Sequence, residues 1–81
     1  MIVKIVFFAA ARDLMGCPSL EMSLDDSATL GQVKQSIIEQ YPMMMELVKK
    51  STFSVDRQYA RDEQPLYHGV EIGLIPPVSG G

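Results

Sequence analysis

Only one stretch of this chain has the length and spacing of a packed helix, and strand-like segments stand on both sides of it. From Thr29 onward, Leu30, Val33, Ile37 and Tyr41 recur at helical spacing, and Ile38 widens the apolar stripe. The Thr29 hydroxyl is placed to cap the first turn while Gln32 reaches back to complete a capping box. Pro42 stops the helix. A lone amphipathic helix must bury its stripe against another layer, and the rest of the chain offers a sheet.

Residues 2–8 form a near-continuous apolar run in which Lys4 is the only charge. Such a run reads as a strand covered on both faces and central in its sheet. Residues 19–24 alternate instead: Leu20, Met22 and Leu24 share one face, Ser19, Glu21 and Ser23 the other, as in a half-exposed strand. Gly16 and Pro18 punctuate the link between the two and suggest a hairpin-like return. Beyond the helix, the methionine-rich segment 43–48 reads as an irregular helical turn filling the edge of the core, a use that suits a flexible thioether. Residues 52–55 are a third strand, which residues 58–60 can pair with across an Asp56-Arg57 turn. Residues 63–66 read as a loop, and His68-Gly69 as a turn into the last strand, residues 71–75, where Ile72 and Leu74 share a face. The order β-β-α-β-β-β gives an α+β fold: a mixed sheet of four to five strands with one main helix packed across one face.

At 81 residues the chain is one domain with one small core. Its single cysteine, Cys17, rules out an internal disulfide, and no Cys/His cluster has zinc spacing. The opening apolar run is too short to span a membrane and lacks the charged start and cleavage site of a signal peptide, so the chain is expected to be soluble and cytoplasmic. A formal net charge of −3 with no basic block argues against nucleic acid as a partner. No triad, carboxylate pair or metal cluster suggests a self-contained enzyme.

The last seven residues, Ile75-Pro76-Pro77-Val78-Ser79-Gly80-Gly81, carry the chemistry. A terminal carboxylate preceded by glycines has no side chain to obstruct it, so the tip can enter a tunnel too narrow for a Cβ. Pro76 and Pro77 fix φ and favour an extended path, which lowers the entropy lost on docking. Fully extended, residues 76–81 reach roughly 20 Å. They read as a stiff arm with a reactive tip, set apart from a folded domain of residues 1–75.

The element order together with a diglycine end resembles the ubiquitin-like β-grasp fold. More narrowly, Phe7-Phe8-Ala9 with Arg12 and Gly16, the helix from Thr29 to Ile38, Phe53-Ser54-Val55, Gly69 and above all the PPVSGG ending resemble the small sulfur-carrier subunits of molybdopterin synthase. The resemblance spans the whole chain. It departs from that pattern at Val70, where an aspartate is usual, at Gly73, where alanine is common, and at Asp56, where asparagine or arginine is more frequent. Gly73 is expected to weaken its strand, since glycine packs nothing.

The resemblance implies that Gly81, with Gly80 before it, is adenylated by an activating enzyme at the expense of ATP. A persulfide-bearing sulfur donor protein then converts it to a thiocarboxylate. It implies sulfur delivery to a cyclic pyranopterin precursor inside a large subunit, in a heterotetramer, with acid/base residues on that subunit and no cofactor held permanently by this chain. Phe8, Tyr59 and Ile75 are the implied apolar patch against the large subunit. Arg12 is a contact candidate, and Pro76, Pro77, Val78 and Ser79 line the approach. The rival readings are a sulfur carrier for thiamine or cysteine synthesis, a protein modifier joined through Gly81 to lysines, and a plain interaction domain. Cys17 lacks a basic neighbour that would activate its thiol and reads as passive. His68 has no ligand-spaced partner and reads as a turn residue.

Overall fold

The computed structural model describes residues 1–78. Five strands, β1 (Ile2–Phe7), β2 (Ser19–Ser23), β3 (Thr52–Val55), β4 (Gln58–Tyr59) and β5 (Glu71–Ile75), form one mixed sheet in the order β2-β1-β5-β3-β4. β1 and β5 run parallel at the centre; every other pairing is antiparallel. Helix α2 (Leu30–Gln40) is the main helix, joined by two short ones, α1 (Ala10–Met15) and α3 (Met45–Lys50).

The inward face of the sheet carries Val3, Ile5 and Phe7 of β1, Ile72 and Leu74 of β5, Phe53 and Val55 of β3, and Met22 of β2. Against it α2 presses Leu30, Val33 and Ile37, the stripe that its spacing predicts. The capping box forms as expected, with the Thr29 N–H donating to Gln32 Oε1 at 2.8 Å. Two further first-turn donors, the N–H groups of Leu30 and Gly31, are met by the carbonyls of Gln64 and Asp62 at 3.0 and 2.9 Å. The loop after β4 is thereby tied to the helix N-terminus, where backbone donors need outside partners. Lys34 Nζ, 2.6 Å from Asp62 Oδ1, adds a partly exposed ion pair to the same junction.

Several sequence expectations need correction. β1 is central, yet only one of its faces is covered: its burial alternates, with Ile2 and Lys4 exposed and Val6 half-buried on the other side. The link from β1 to β2 returns as a hairpin would but contains α1. That helix has no side-chain cap at its start, buries Ala11, and closes on Gly16, whose φ of 76° is the left-handed conformation glycine adopts freely. Segment 43–48 divides between a 3-10 turn, Pro42–Met44, and α3. Met44 and Val48 are core, whereas Met43 and Met45 face solvent. Val70 is buried and belongs to the core.

Candidate functional site

The parallel pairing of β1 with β5 brings their C-terminal ends to one edge of the molecule. Phe8 continues β1 by donating its N–H to the Leu74 carbonyl at 3.2 Å. Since Phe7 points into the core, Phe8 points to the uncovered face. Ile75 ends β5 on that face, opposite Thr52 of β3. One step back along the strands, Val6, Gly73, Ser54 and Tyr59 form a row across β1, β5, β3 and β4. Pairing therefore places Phe8, Ile75 and Tyr59, far apart in sequence, on a single face. Phe8 is 46 % exposed and Tyr59 77 % exposed, and Ile75 is half-buried. None of the three belongs to the buried core.

Gly73 fits this surface differently from the sequence expectation. It is buried, and a Cβ built on it would lie 2.5 Å from Ser54 Oγ and 3.2 Å from Cε2 of Phe8. The missing side chain is thus the space into which the Phe8 ring settles. The Ser54 hydroxyl can rotate, but the ring must also shift. Gly73→Ala is expected to cost roughly 1–3 kcal/mol in urea unfolding, as overpacking generally does. Ser54→Ala in the same chain should recover part of that loss, because it removes the nearer atom. Equal stability of Gly73→Ala with and without Ser54→Ala would show that close approach does not select glycine here.

The tail leaves from the same edge. β5 ends at Ile75, Pro76 is buried, and Pro77 and Val78 are exposed, Val78 to 91 %. Ser79, Gly80 and Gly81 lie outside the described residues. Arg12 is exposed on α1, the helix that follows Phe8. Cys17 is half-buried against the core. His68 does more than turn the chain: its Nδ1 accepts the Ile2 N–H at 3.0 Å, and the neighbouring Gly69 N–H reaches the Ile2 carbonyl at 2.7 Å. Together they clamp the start of β1 to the approach to β5.

Among the described residues no group of His, Cys, Asp or Glu could hold a metal ion, and no helix is long and apolar enough to cross a membrane. A pair missed by sequence reading lies beside Tyr59: the Tyr67 hydroxyl donates to the Asp56 carboxylate. That hydrogen bond, helped by slight desolvation and by the charge of Asp56, raises the Tyr67 pKa above its ordinary value. The pair is eleven residues apart in sequence, with no periodicity to announce it.

Known proteins resemble the chain over its whole length. A molybdopterin synthase sulfur carrier subunit of Chlamydomonas reinhardtii is 31 % identical, with all of both chains covered. Among solved structures, SAMP1 from Haloferax volcanii superposes with a TM-score of 0.89 at 20 % identity, again over both full chains. The chain is also similar to one chain in the solved complex of subunits 1 and 2 of the molybdopterin-converting factor from Helicobacter pylori, with a TM-score of 0.73, 21 % identity and 100 % coverage of each chain. These likenesses identify the fold as the ubiquitin-like β-grasp. Residues 5–81 match the model of the ThiS family, and with that match over nearly the entire chain the protein belongs to the ThiS family.

Proposed function

We propose that this protein is the sulfur-carrying small subunit of a molybdopterin synthase. The observation that carries the reading is the end-to-end similarity to a sulfur carrier subunit, which extends through the diglycine tail. The geometry is compatible with it: an arm leaves the sheet beside an uncovered apolar patch and projects Val78 into solvent.

The chemistry follows from what a carboxylate lacks. It is a poor electrophile, so the Gly81 carboxylate first attacks the α-phosphorus of ATP in an activating enzyme, releasing pyrophosphate and forming an acyl adenylate. A persulfide sulfur then attacks the acyl carbon and expels AMP. A second thiol then attacks the donor-side sulfur of the resulting acyl disulfide, so that the S–S bond breaks, the thiocarboxylate leaves on Gly81 and the two thiols end joined as a disulfide. The arm next carries this soft nucleophile into the large subunit, where a cyclic pyranopterin precursor receives sulfur. The small subunit supplies sulfur and position; proton transfers belong to its partner. The lone half-buried cysteine and the absence of a membrane-spanning helix among the described residues suit a cytoplasmic setting.

Intact mass spectrometry tests the loading step. Incubation with ATP, magnesium, the activating enzyme and a sulfur donor should exchange one oxygen for sulfur, and fragmentation should place the change on Gly81. A shift located on Cys17 would refute the assignment. Capture of a thiazole synthase in preference to the pterin-synthase large subunit would assign the sulfur to another pathway, and covalent conjugates on denaturing gels would indicate a protein modifier.

A further inference from the structure

β2 is an edge strand: β1 pairs with one side of it, and among the described residues no strand lies on the other. The pairing pattern fixes which of its backbone groups are free. The Met1 ammonium donates to the Leu24 carbonyl at 2.7 Å, and the Leu24 N–H to the Met1 carbonyl at 2.8 Å. At the other end the Phe7 N–H reaches the Pro18 carbonyl at 2.9 Å. In an antiparallel ladder such bonded positions recur at every second residue, so Leu20 and Met22 also turn their N–H and C=O groups to β1. Ser19, Glu21 and Ser23 turn theirs outward. The opposite edge of the sheet, β4, is only two residues long and offers no such row.

Where β2 ends, a cleft of about 250 Å³ opens between Leu24-Asp25 and the flank of α2 that carries Gln32, Gln35 and Glu39. Half-buried Leu24 and buried Ala28 give it apolar lining, Asp25 and Glu39 are exposed along it, and no lysine or arginine lines it. Glu21 is exposed on the edge strand itself. Lys4 stands across from it on β1, yet none of these three carboxylates makes an ion pair among the described residues.

We propose that the β2 edge takes up an extended basic segment of a partner protein as an added antiparallel strand. One cationic side chain of that segment enters the cleft beside α2, and another lies beside Glu21. Main-chain hydrogen bonds to Ser19, Glu21 and Ser23 supply affinity, and alternate side chains supply selectivity. A residue set opposite Leu24 turns its side chain to the helix side of the sheet, where the cleft is; one set opposite Glu21 turns to the open side. An aliphatic stem suits Leu24 and Ala28, while its cationic head meets Asp25 and Glu39. Charge on an edge strand generally guards against pairing, and here its sign chooses the occupant. In the fullest antiparallel overlap of two copies of β2, Glu21 meets Glu21, and like charges directly opposite are destabilising. A basic strand meets no such repulsion. β1 stands between β2 and β5, so uptake leaves the tail free, and the inference does not depend on the synthase reading.

The blocked peptide Ac-Thr-Arg-Thr-Val-Lys-Val-Thr-NH2 places its arginine opposite Leu24 and its lysine opposite Glu21. Titrated into the full chain and followed by amide NMR, it should give saturable shifts along β2 and at Gln35 and Glu39. Hydrogen exchange at Ser19, Glu21 and Ser23 should slow roughly tenfold at about 90 % saturation, while Leu20 and Met22, already bonded to β1, should not change. The same peptide with glutamine for both basic residues should bind roughly tenfold more weakly at low salt, and the gap should narrow as ionic strength rises. N-methylation of its third and fifth residues, which face Ser23 and Glu21, should abolish binding. Glu21→Gln, at an exposed position that leaves the core intact, should raise the Kd of the basic peptide roughly two- to fivefold. Absence of binding, or binding without protection of the three outward amides, overturns the edge site. Equal affinity for the glutamine peptide overturns the basic occupant. Protection of those amides in the peptide-free protein that grows with protein concentration would assign the edge to a second copy and overturn the proposal.

Discussion

Chains lacking Gly81, or carrying one residue beyond it, should fold as the full chain does and lose sulfur transfer by ~100-fold or more. The two halves of that result have separate causes. Folding is expected to be indifferent because β5 ends at Ile75, the last buried residue among the described ones is Pro76, and Pro77 and Val78 already face solvent. Shortening or lengthening the chain at Gly81 leaves this described core as it is, and circular dichroism and the unfolding midpoint should not move. Transfer is sensitive because the reacting atom must reach a fixed point in the partner. One residue of extended chain spans roughly 3.3–3.6 Å. A displacement of about 1 Å at a reacting centre already costs on the order of 100-fold. Pro76 and Pro77 sharpen the dependence, since a stiff arm cannot fold back to absorb an added residue. Full activity in the extended variant would contradict a tunnel of fixed depth.

What sequence reading found and missed follows physical lines. α2 was legible because three signals agree on it: an apolar stripe at helical spacing, a capping box, and a proline just past its end. The Asp56-Arg57 hairpin and the final strand were legible from alternation and turn residues. α1 was not, since it has six residues, no side-chain cap, and only Ala11 buried; it is held by packing and a left-handed glycine rather than by propensity.

The misreading of β1 teaches more about the site. Ile2, Val6 and Phe8 make the run look two-faced, yet the helices cover only the side bearing Val3, Ile5 and Phe7. Apolar residues on an uncovered face are what a docking surface needs, so the segment that defeated periodicity marks part of the candidate site. Gly73 was misjudged for a related reason. A glycine's role depends on which ring lies over it, and the approach of Phe8 across the strand pair is visible only once the register is known.

Tyr59→Asp should abolish tight association with the large subunit and leave the monomer folded. A six-residue arm alone removes too little surface from water to hold a stable complex, since specific interfaces usually bury ~1,200–2,000 Å². The base of the tail must contribute, and the open face with Phe8, Ile75 and Tyr59 adjoins the edge from which Pro77 emerges. Tyr59 gives the cleanest test of the three. It is 77 % exposed on a two-residue edge strand, so the monomer has little packing there to lose. Ile75 is half-buried, and Phe8 fills the space above Gly73, so charges at those positions would disturb the sheet itself. In the complex a carboxylate at position 59 would be stripped of water with no matching cation against an apolar partner surface, a penalty of roughly 3–5 kcal/mol. At about 1.4 kcal/mol per factor of ten, that is a loss of a hundredfold or more in Kd. Tyr59→Phe, which keeps the ring and drops the hydroxyl, should bind nearly as wild type does. Calorimetry decides: if Tyr59→Asp binds as tightly as wild type, the partner sits elsewhere. If Tyr59→Phe loses as much as Tyr59→Asp, the hydroxyl rather than the apolar ring makes the contact.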